Sequence, residues 1–244
     1  MARSHAVVVV VVVLLSGCQG AGPSPESVTP APVPTGDGSV PVDAGLVANA
    51  HRAALADRSY TTTVVWRVTY SNGTVGRLTD QFVVGDGGSY RYERRQRGPY
   101  PGEWSSFVVW QNDSHEFRRT TAENGSTTVT VRRTTGFADT SLSGFVRRLL
   151  SNFDLTGERT TDGVAVSGTA PEFGRLPLPE GVHDGRDGRL DGDVRDDIVR
   201  RLTVSGRAET RDTDQTVDVG IRMTVDRVGR SEPTRPPWAT DTGG

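Results

Sequence analysis

The chain has 244 residues with 28 basic and 30 acidic side chains, a net charge of -2 and a mean hydropathy of -0.43. Such a balance leaves no basic excess for a nucleic-acid partner. One cysteine excludes a disulfide framework, so any folded domain must stand on its core alone.

Met1 to Ala6 is short and carries Arg3, and Val7 to Leu15 is an unbroken run of seven valines and two leucines. Nine residues rise only about 13 Å as a helix, too little for a hydrocarbon core of about 30 Å. A charged start, a short apolar core and small residues at the exit predict a secretory signal over residues 1–17. The exit, Leu15-Ser16-Gly17-Cys18, resembles the lipobox of bacterial and archaeal lipoproteins. That resemblance implies a diacylglyceryl group on the Cys18 thiol, cleavage before it, and a chain held on the outer side of the cell membrane. The competing reading is an ordinary signal peptide with an incidental cysteine. No twin arginine precedes the apolar run, which favours the general secretory route.

Residues 18–42 read as a linker, with Pro23, Pro25, Pro30, Pro32, Pro34 and Pro41 among small polar residues. A segment so poor in large apolar groups cannot offset its ordering entropy. Stretched, about 24 residues reach some 70 Å at about 3.1 Å each.

A domain is expected over residues 43–240. Asp43 is placed to cap a helix running to Asp57, with Leu46, Val47, Ala50, Ala54 and Leu55 as its apolar stripe. Alternation then predicts strands at 61–70, 77–84, 89–95, 105–111, 116–120 and 127–133. Turn signals such as Asn72-Gly73, Asp86-Gly87 and Asn124-Gly125 separate them. Ser141 caps a second predicted helix, whose stripe is Leu142, Phe145, Val146, Leu149, Leu150 and Phe153. Strand pattern returns at 163–170, residues 171–192 read mostly as loop, and long strands at 196–208 and 215–228 close the domain. The Pro- and Gly-rich tail from Ser231 carries Trp238, which is expected to dock on the domain. Only one face of each strand is apolar, so one side of the sheet needs a cover. The expected class is α+β, a curved antiparallel sheet of about nine strands wrapped around two amphipathic helices.

That order resembles the LolA/LppX half-barrel: a helix running into the segment from His51 to Thr61, a meander, a central amphipathic helix and long closing strands. The chain is also similar to haloarchaeal lipoproteins with an Ala-Leu-Ala…Ser-Tyr-Thr segment and a Pro-Pro-Trp tail, here Pro236-Pro237-Trp238. All its basic residues are arginine, which suits that GC-rich, lysine-poor group, although its net charge is mild for it. The half-barrel resemblance implies a concave apolar cavity that holds acyl chains, with no catalytic residues. Trp66, Tyr90, Tyr92, Phe107, Phe145 and Leu149 are the candidates to line it. Trp104 and Trp110 belong to the same aromatic set, and plain core is the competing reading.

Asn72, Asn112 and Asn124 each begin an Asn-X-Ser/Thr tripeptide in a predicted turn, making them candidate glycosylation sites or simply turn formers. The run Asp184-Gly-Arg-Asp187-Gly-Arg-Leu-Asp191-Gly-Asp193, with Asp196 and Asp197, offers oxygen ligands to calcium, but three arginines interrupt it and a solvated loop is the simpler reading. His51, His115 and His183 show no metal-ligand spacing. No nucleophile elbow or phosphate loop is present, so neither metal, cofactor nor catalytic residue is expected. Arg94, Arg95, Arg97, Arg132 and Arg133 are candidates for anionic headgroups, against the ordinary reading of a wet strand face. The sequence thus points to a lipid-anchored, non-enzymatic surface protein whose half-barrel carries a lipid or other hydrophobic ligand. The alternative is a structural module that meets other envelope proteins.

Overall fold

A computed structural model describes residues 39–99, 106–122, 124–134, 139–173, 178, 181–211 and 214–239. The predicted signal peptide, Cys18 and Trp104 lie outside the described residues, as does all of the predicted linker except its last four positions.

Among the described residues twelve strands form one antiparallel sheet. In chain order the elements are β1 (Val40–Pro41), α1 (Ala44–Leu55), β2 (Tyr60–Thr69), β3 (Val75–Val84), β4 (Tyr90–Arg97), β5 (Ser106–Gln111), β6 (His115–Thr121) and β7 (Thr127–Arg133). Then follow α2 (Ser143–Leu150), β8 (Asp154–Thr160), β9 (Gly163–Glu172), β10 (Val182–Arg195), β11 (Ile198–Thr210) and β12 (Thr216–Asp226). The spatial order is β1-β8-β9-β10-β11-β12-β2-β3-β4-β5-β6-β7. Two meanders, β2–β7 and β8–β12, therefore meet at a β12–β2 seam, where Met223 faces Val64 and Ile221 faces Trp66. The sheet is curved and open, ending at β1 and β7 among the described residues.

The register fixes the faces. One row runs Leu202–Met223–Val64–Asp80–Arg94–Phe107 across β11, β12, β2, β3, β4 and β5. This is the concave face on which both helices lie: Phe145 of α2 meets Trp66 edge-on at 5.9 Å. Val146 and Leu149 of α2 and Val68, Ile198, Val199 and Met223 of the sheet are fully enclosed.

Three expectations need correction. Residues 182–192, read as loop for their Asp and Gly, belong to the long strand β10 (Val182–Arg195). Its glycines make room for rings: a Cβ on Gly185 or Gly188 would stand 2.3 or 2.7 Å from the ring of Phe173, and one on Gly206 of the neighbouring β11 2.5 Å. Asp184 and Asp187, with φ of 51° and 55°, accompany two register shifts in the pairing with β11. Asp196 and Asp197 also have positive φ and form the two-residue turn into β11.

Strand β8 went unpredicted, because Asp154–Thr160 has a single large apolar residue, Leu155. Val40 and Pro41, assigned to the linker, pair with it through Gly157 and Thr156.

The α1 stripe is also rotated. Asp43 caps the helix as expected, its carboxylate accepting from Leu46 N–H at 2.8 Å. The enclosed positions, however, are Ala48, His51 and Leu55, while Leu46 is 70% exposed. The helix turns toward the sheet the face carrying Ala48, His51 and Leu55, one small residue, one imidazole and one leucine, and leaves Leu46 outside.

In α2 the predicted stripe is buried, although the helix itself stops at Leu150. Leu142 stands at the cap with φ 57°, and the Ser141 hydroxyl accepts from Ser143 N–H at 3.2 Å. The tail docks on the opposite, convex face as expected of Trp238. Ala239 and Trp238 pack with Trp110 and Phe117, and the Arg235 guanidinium lies 5.0 Å over the Trp110 ring.

Candidate functional site

The apolar side chains that α1 does not bury define an apolar concavity. Leu46, Val47 and Ala50 of α1, with Val42 before it, face Val164 and Val166 of β9 and Val194 of β10 across a groove of about 280 Å³. Asp197, in the β10–β11 turn, is the charged residue at its rim. Sheet register carries the apolar surface outward, since Val40 and Val166 both oppose Gly157 in one row, and Val40 is 57% exposed. Gly157 keeps this floor low; a Cβ there would stand 2.8 Å from Val42 and 3.3 Å from Val164. The groove is near the lower end of small-ligand pockets, about 300–1,000 Å³. An elongated, flexible, apolar group fits it better than a compact polar one, because every lining side chain except Asp197 is apolar.

The groove includes none of the six aromatic and aliphatic residues selected from the sequence for a cavity. All four on strands, Trp66, Tyr90, Tyr92 and Phe107, do share the concave face by register. They fall into separate clusters. Trp66 packs with Phe145 of α2, beside buried Leu149. Tyr92 stacks on Phe82 with centroids 4.3 Å apart and meets Phe107 edge-on at 5.2 Å. Tyr90 is buried opposite Val84 and Gln111.

Beyond the helices the concave face turns polar. Arg94 donates to both carboxylate oxygens of Asp80, at 2.6 and 2.5 Å, and Asp80 is 3% exposed. The guanidinium is held between rings, 5.5 Å from the Phe107 centroid and 5.9 Å from that of Tyr92. Burial, with Asp80 beside it, pushes the Tyr92 hydroxyl far above its usual range. Arg118 covers Phe107 from the next strand at 4.4 Å. Arg94 is therefore committed to an internal pair, and Arg95 bridges Glu93 at 2.6 Å. Arg132 stands 3.8 Å from Glu116.

A second, mixed pocket of about 460 Å³ opens at the foot of α1, between Arg52, Arg58, Tyr60, Asp139 and the turn at Gly85–Gly88. Beside it lies the one fully enclosed imidazole among the described residues. His51 Nε2–H donates to the Ser141 carbonyl at 3.0 Å, and Val199 N–H donates to Nδ1 at 3.2 Å. Both ring nitrogens are used in the neutral form, and burial pushes the His51 pKa down. Asp139 receives the hydroxyls of Ser141 and Ser143. Burial pushes its carboxyl up, but those hydrogen bonds outweigh it and hold it below the usual range. These bonds join α1 and β11 to the segment that leads into α2.

His115 and His183 lie elsewhere. His183 Nδ1 is 2.8 Å from Asp184, and with Glu209 these donors fall within 4.8 Å of one another. Arg186 already holds Glu209 at 3.0 Å, so a cation there would have to displace a guanidinium.

The three candidate sequons all stand in hairpin turns. Each asparagine Oδ1 accepts from the backbone N–H two residues on: Thr74 at 2.9 Å, Ser114 at 3.1 Å and Ser126 at 2.9 Å. Asn72 and Asn124 are exposed, and Asn112 is half-buried.

No protein-family model matches the chain, and no curated protein matches it. Among solved structures it is similar to a LolA superfamily protein from Nitrosomonas europaea, at 10% identity over 79% of this chain and 96% of that one, with a TM-score of 0.27. It is also similar to the MucA/MucB complex structure of Pseudomonas aeruginosa, at 13% identity over 80% of this chain and 100% of that one, with a TM-score of 0.11. Neither score is high enough to support an argument about this chain.

Proposed function

We propose that the chain is an exported lipoprotein, held on the outer membrane surface by acylated Cys18, whose LolA/LppX-like half-barrel binds a hydrophobic chain. The observation that carries the binding role is the open apolar groove between α1 and β9–β10, flanked by the exposed side chains of Leu46 and Val40. A leucine left 70% exposed beside a valine-lined trough is an unfilled contact. A bound acyl or isoprenoid segment would bury it at about 25 cal/mol per Å² of apolar surface removed from water. The lipobox-like Leu15-Ser16-Gly17-Cys18 supports the anchor.

Mass spectrometry of an organic extract of the chain purified from its own membranes tests the binding role. Co-purifying lipid in stoichiometric amount is expected from the wild type, and at least tenfold less from Leu46→Asp, whose charge would lie in the trough. Equal yields from the two proteins refute the groove as the site. The anchor is tested separately, since Cys18→Ser should shift the protein from the membrane fraction to the medium.

A further inference from the structure

The convex face, opposite the helices, carries a charge arrangement that is visible only once the register is known. Arg67 of β2 pairs directly with Arg77 of β3, and Arg77 with Arg97 of β4. Three guanidinium-bearing residues thus stand side by side across three adjacent strands, about 10 Å from first to last at the usual strand spacing. All three are exposed, and among the described residues none has a carboxylate within ion-pair reach. The next row on the same face adds exposed Arg222 of β12, which likewise has no ion-pair partner there, and Arg95 of β4. Like charges directly opposite one another destabilise a sheet. Here they are stacked in a row within a chain whose net charge is -2. The docked C-terminal segment leaves them uncovered, since it packs at Trp110 and Phe117 on β5 and β6.

We propose that this arginine row docks the convex face onto a membrane surface bearing anionic phospholipid headgroups. Guanidinium groups meet phosphate oxygens through paired N–H donors, and a row of three on adjacent strands addresses several headgroups together. A membrane is the occupant that the rest of the molecule favours, and to that extent the inference rests on the Cys18 anchor. The row would turn the convex face to that bilayer. The groove at α1 opens on the other face, so docking would direct it away from the surface.

The test uses the chain from Gln19 onward, which keeps every described element but lacks the acyl group and the apolar leader. Sedimentation with vesicles of phosphatidylcholine, with and without about 30% phosphatidylglycerol, is measured at about 0.1 M salt. Binding to the anionic vesicles only is expected, falling steeply as salt rises. The triple variant Arg67→Gln, Arg77→Gln, Arg97→Gln should lower the partition coefficient by about a hundredfold, each basic residue near an anionic surface contributing somewhat less than tenfold. Its thermal midpoint should be unchanged or higher, because the repulsion is gone. A control of equal charge, Arg147→Gln, Arg148→Gln, Arg159→Gln, should lose only a few-fold. Equal binding to neutral vesicles, equal loss in both triple variants, or binding to soluble dextran sulfate without binding to vesicles would each overturn the proposal. Leu46→Asp should leave vesicle binding intact, so failure of the groove and failure of the arginine row are read separately.

Discussion

Mild acid should destabilise this domain through His51. The imidazole is fully buried, and its neutral form satisfies the Ser141 carbonyl through Nε2 and the Val199 N–H through Nδ1. Protonation puts a hydrogen on Nδ1, where it opposes the Val199 donor, and leaves a cation in the core. Burial is the main cause of the lowered pKa and Arg200 adds to it, while the Ser141 bond and Asp139 act the other way. The sign follows. Above the unfolded value of 6.5 both states are neutral and the stability is complete. Below it the unfolded chain takes up a proton that the folded state resists, so stability falls as pH drops toward the lower, folded pKa. One proton sets the steepest slope, about 1.4 kcal/mol per pH unit. Urea unfolding followed by tryptophan fluorescence between pH 8 and 5 measures it, before most carboxylates titrate. His51→Leu should cost roughly 2–5 kcal/mol at pH 8, because two buried backbone groups lose partners at about 1–3 kcal/mol each. It should also flatten the slope by close to one proton. An unchanged slope between pH 6.5 and 5 in His51→Leu would refute this assignment.

Other outcomes follow from packing and pairing. Gly206→Ala should destabilise by about 1–3 kcal/mol, since the new Cβ meets Phe173 at 2.5 Å; in a Phe173→Leu background the penalty should shrink, as a double-mutant cycle in urea will show. Asp80→Leu leaves the Arg94 guanidinium half-buried without its carboxylate and should cost about 3–5 kcal/mol, whereas replacing both residues by Leu and Met should restore much of it. Removing residues from Ser231 onward strips Trp110 and Phe117 of their cover, which should appear as increased binding of a hydrophobic dye and a lower thermal midpoint.

What could be read beforehand was what depends on local chemistry. The Asp43 cap, the α2 stripe and the alternation of β2 and β12 each follow from a short window, and each is found. Strand β10 was hidden because its residues suit turns; they tolerate a strand only because Phe173 and Phe153 fill the space their missing side chains leave. The α1 rotation was hidden for a related reason. Helical periodicity finds the most apolar stripe, but contact with β11 selected Ala48 and His51 and left Leu46 outside. The groove is the direct result of that choice. Of the arginine row the linear sequence singled out only Arg97, with Arg95 beside it; Arg67, Arg77 and Arg97 are joined by hairpin register, which places residues ten and twenty positions apart side by side.

The β12–β2 seam also sets the order in which the molecule can become complete. Neighbouring strands are joined by hairpins nearly everywhere, so each meander is built from contacts close in sequence. The seam is different, because Thr61 of β2 pairs with Asp226, near the end of the last strand. A chain emerging N-terminus first holds β2 with an open edge, and α1 without β11 beneath it, until almost the whole sequence is available. The first core strand is thus finished by the last, and damage to β12 should be felt across both halves of the sheet rather than at its end.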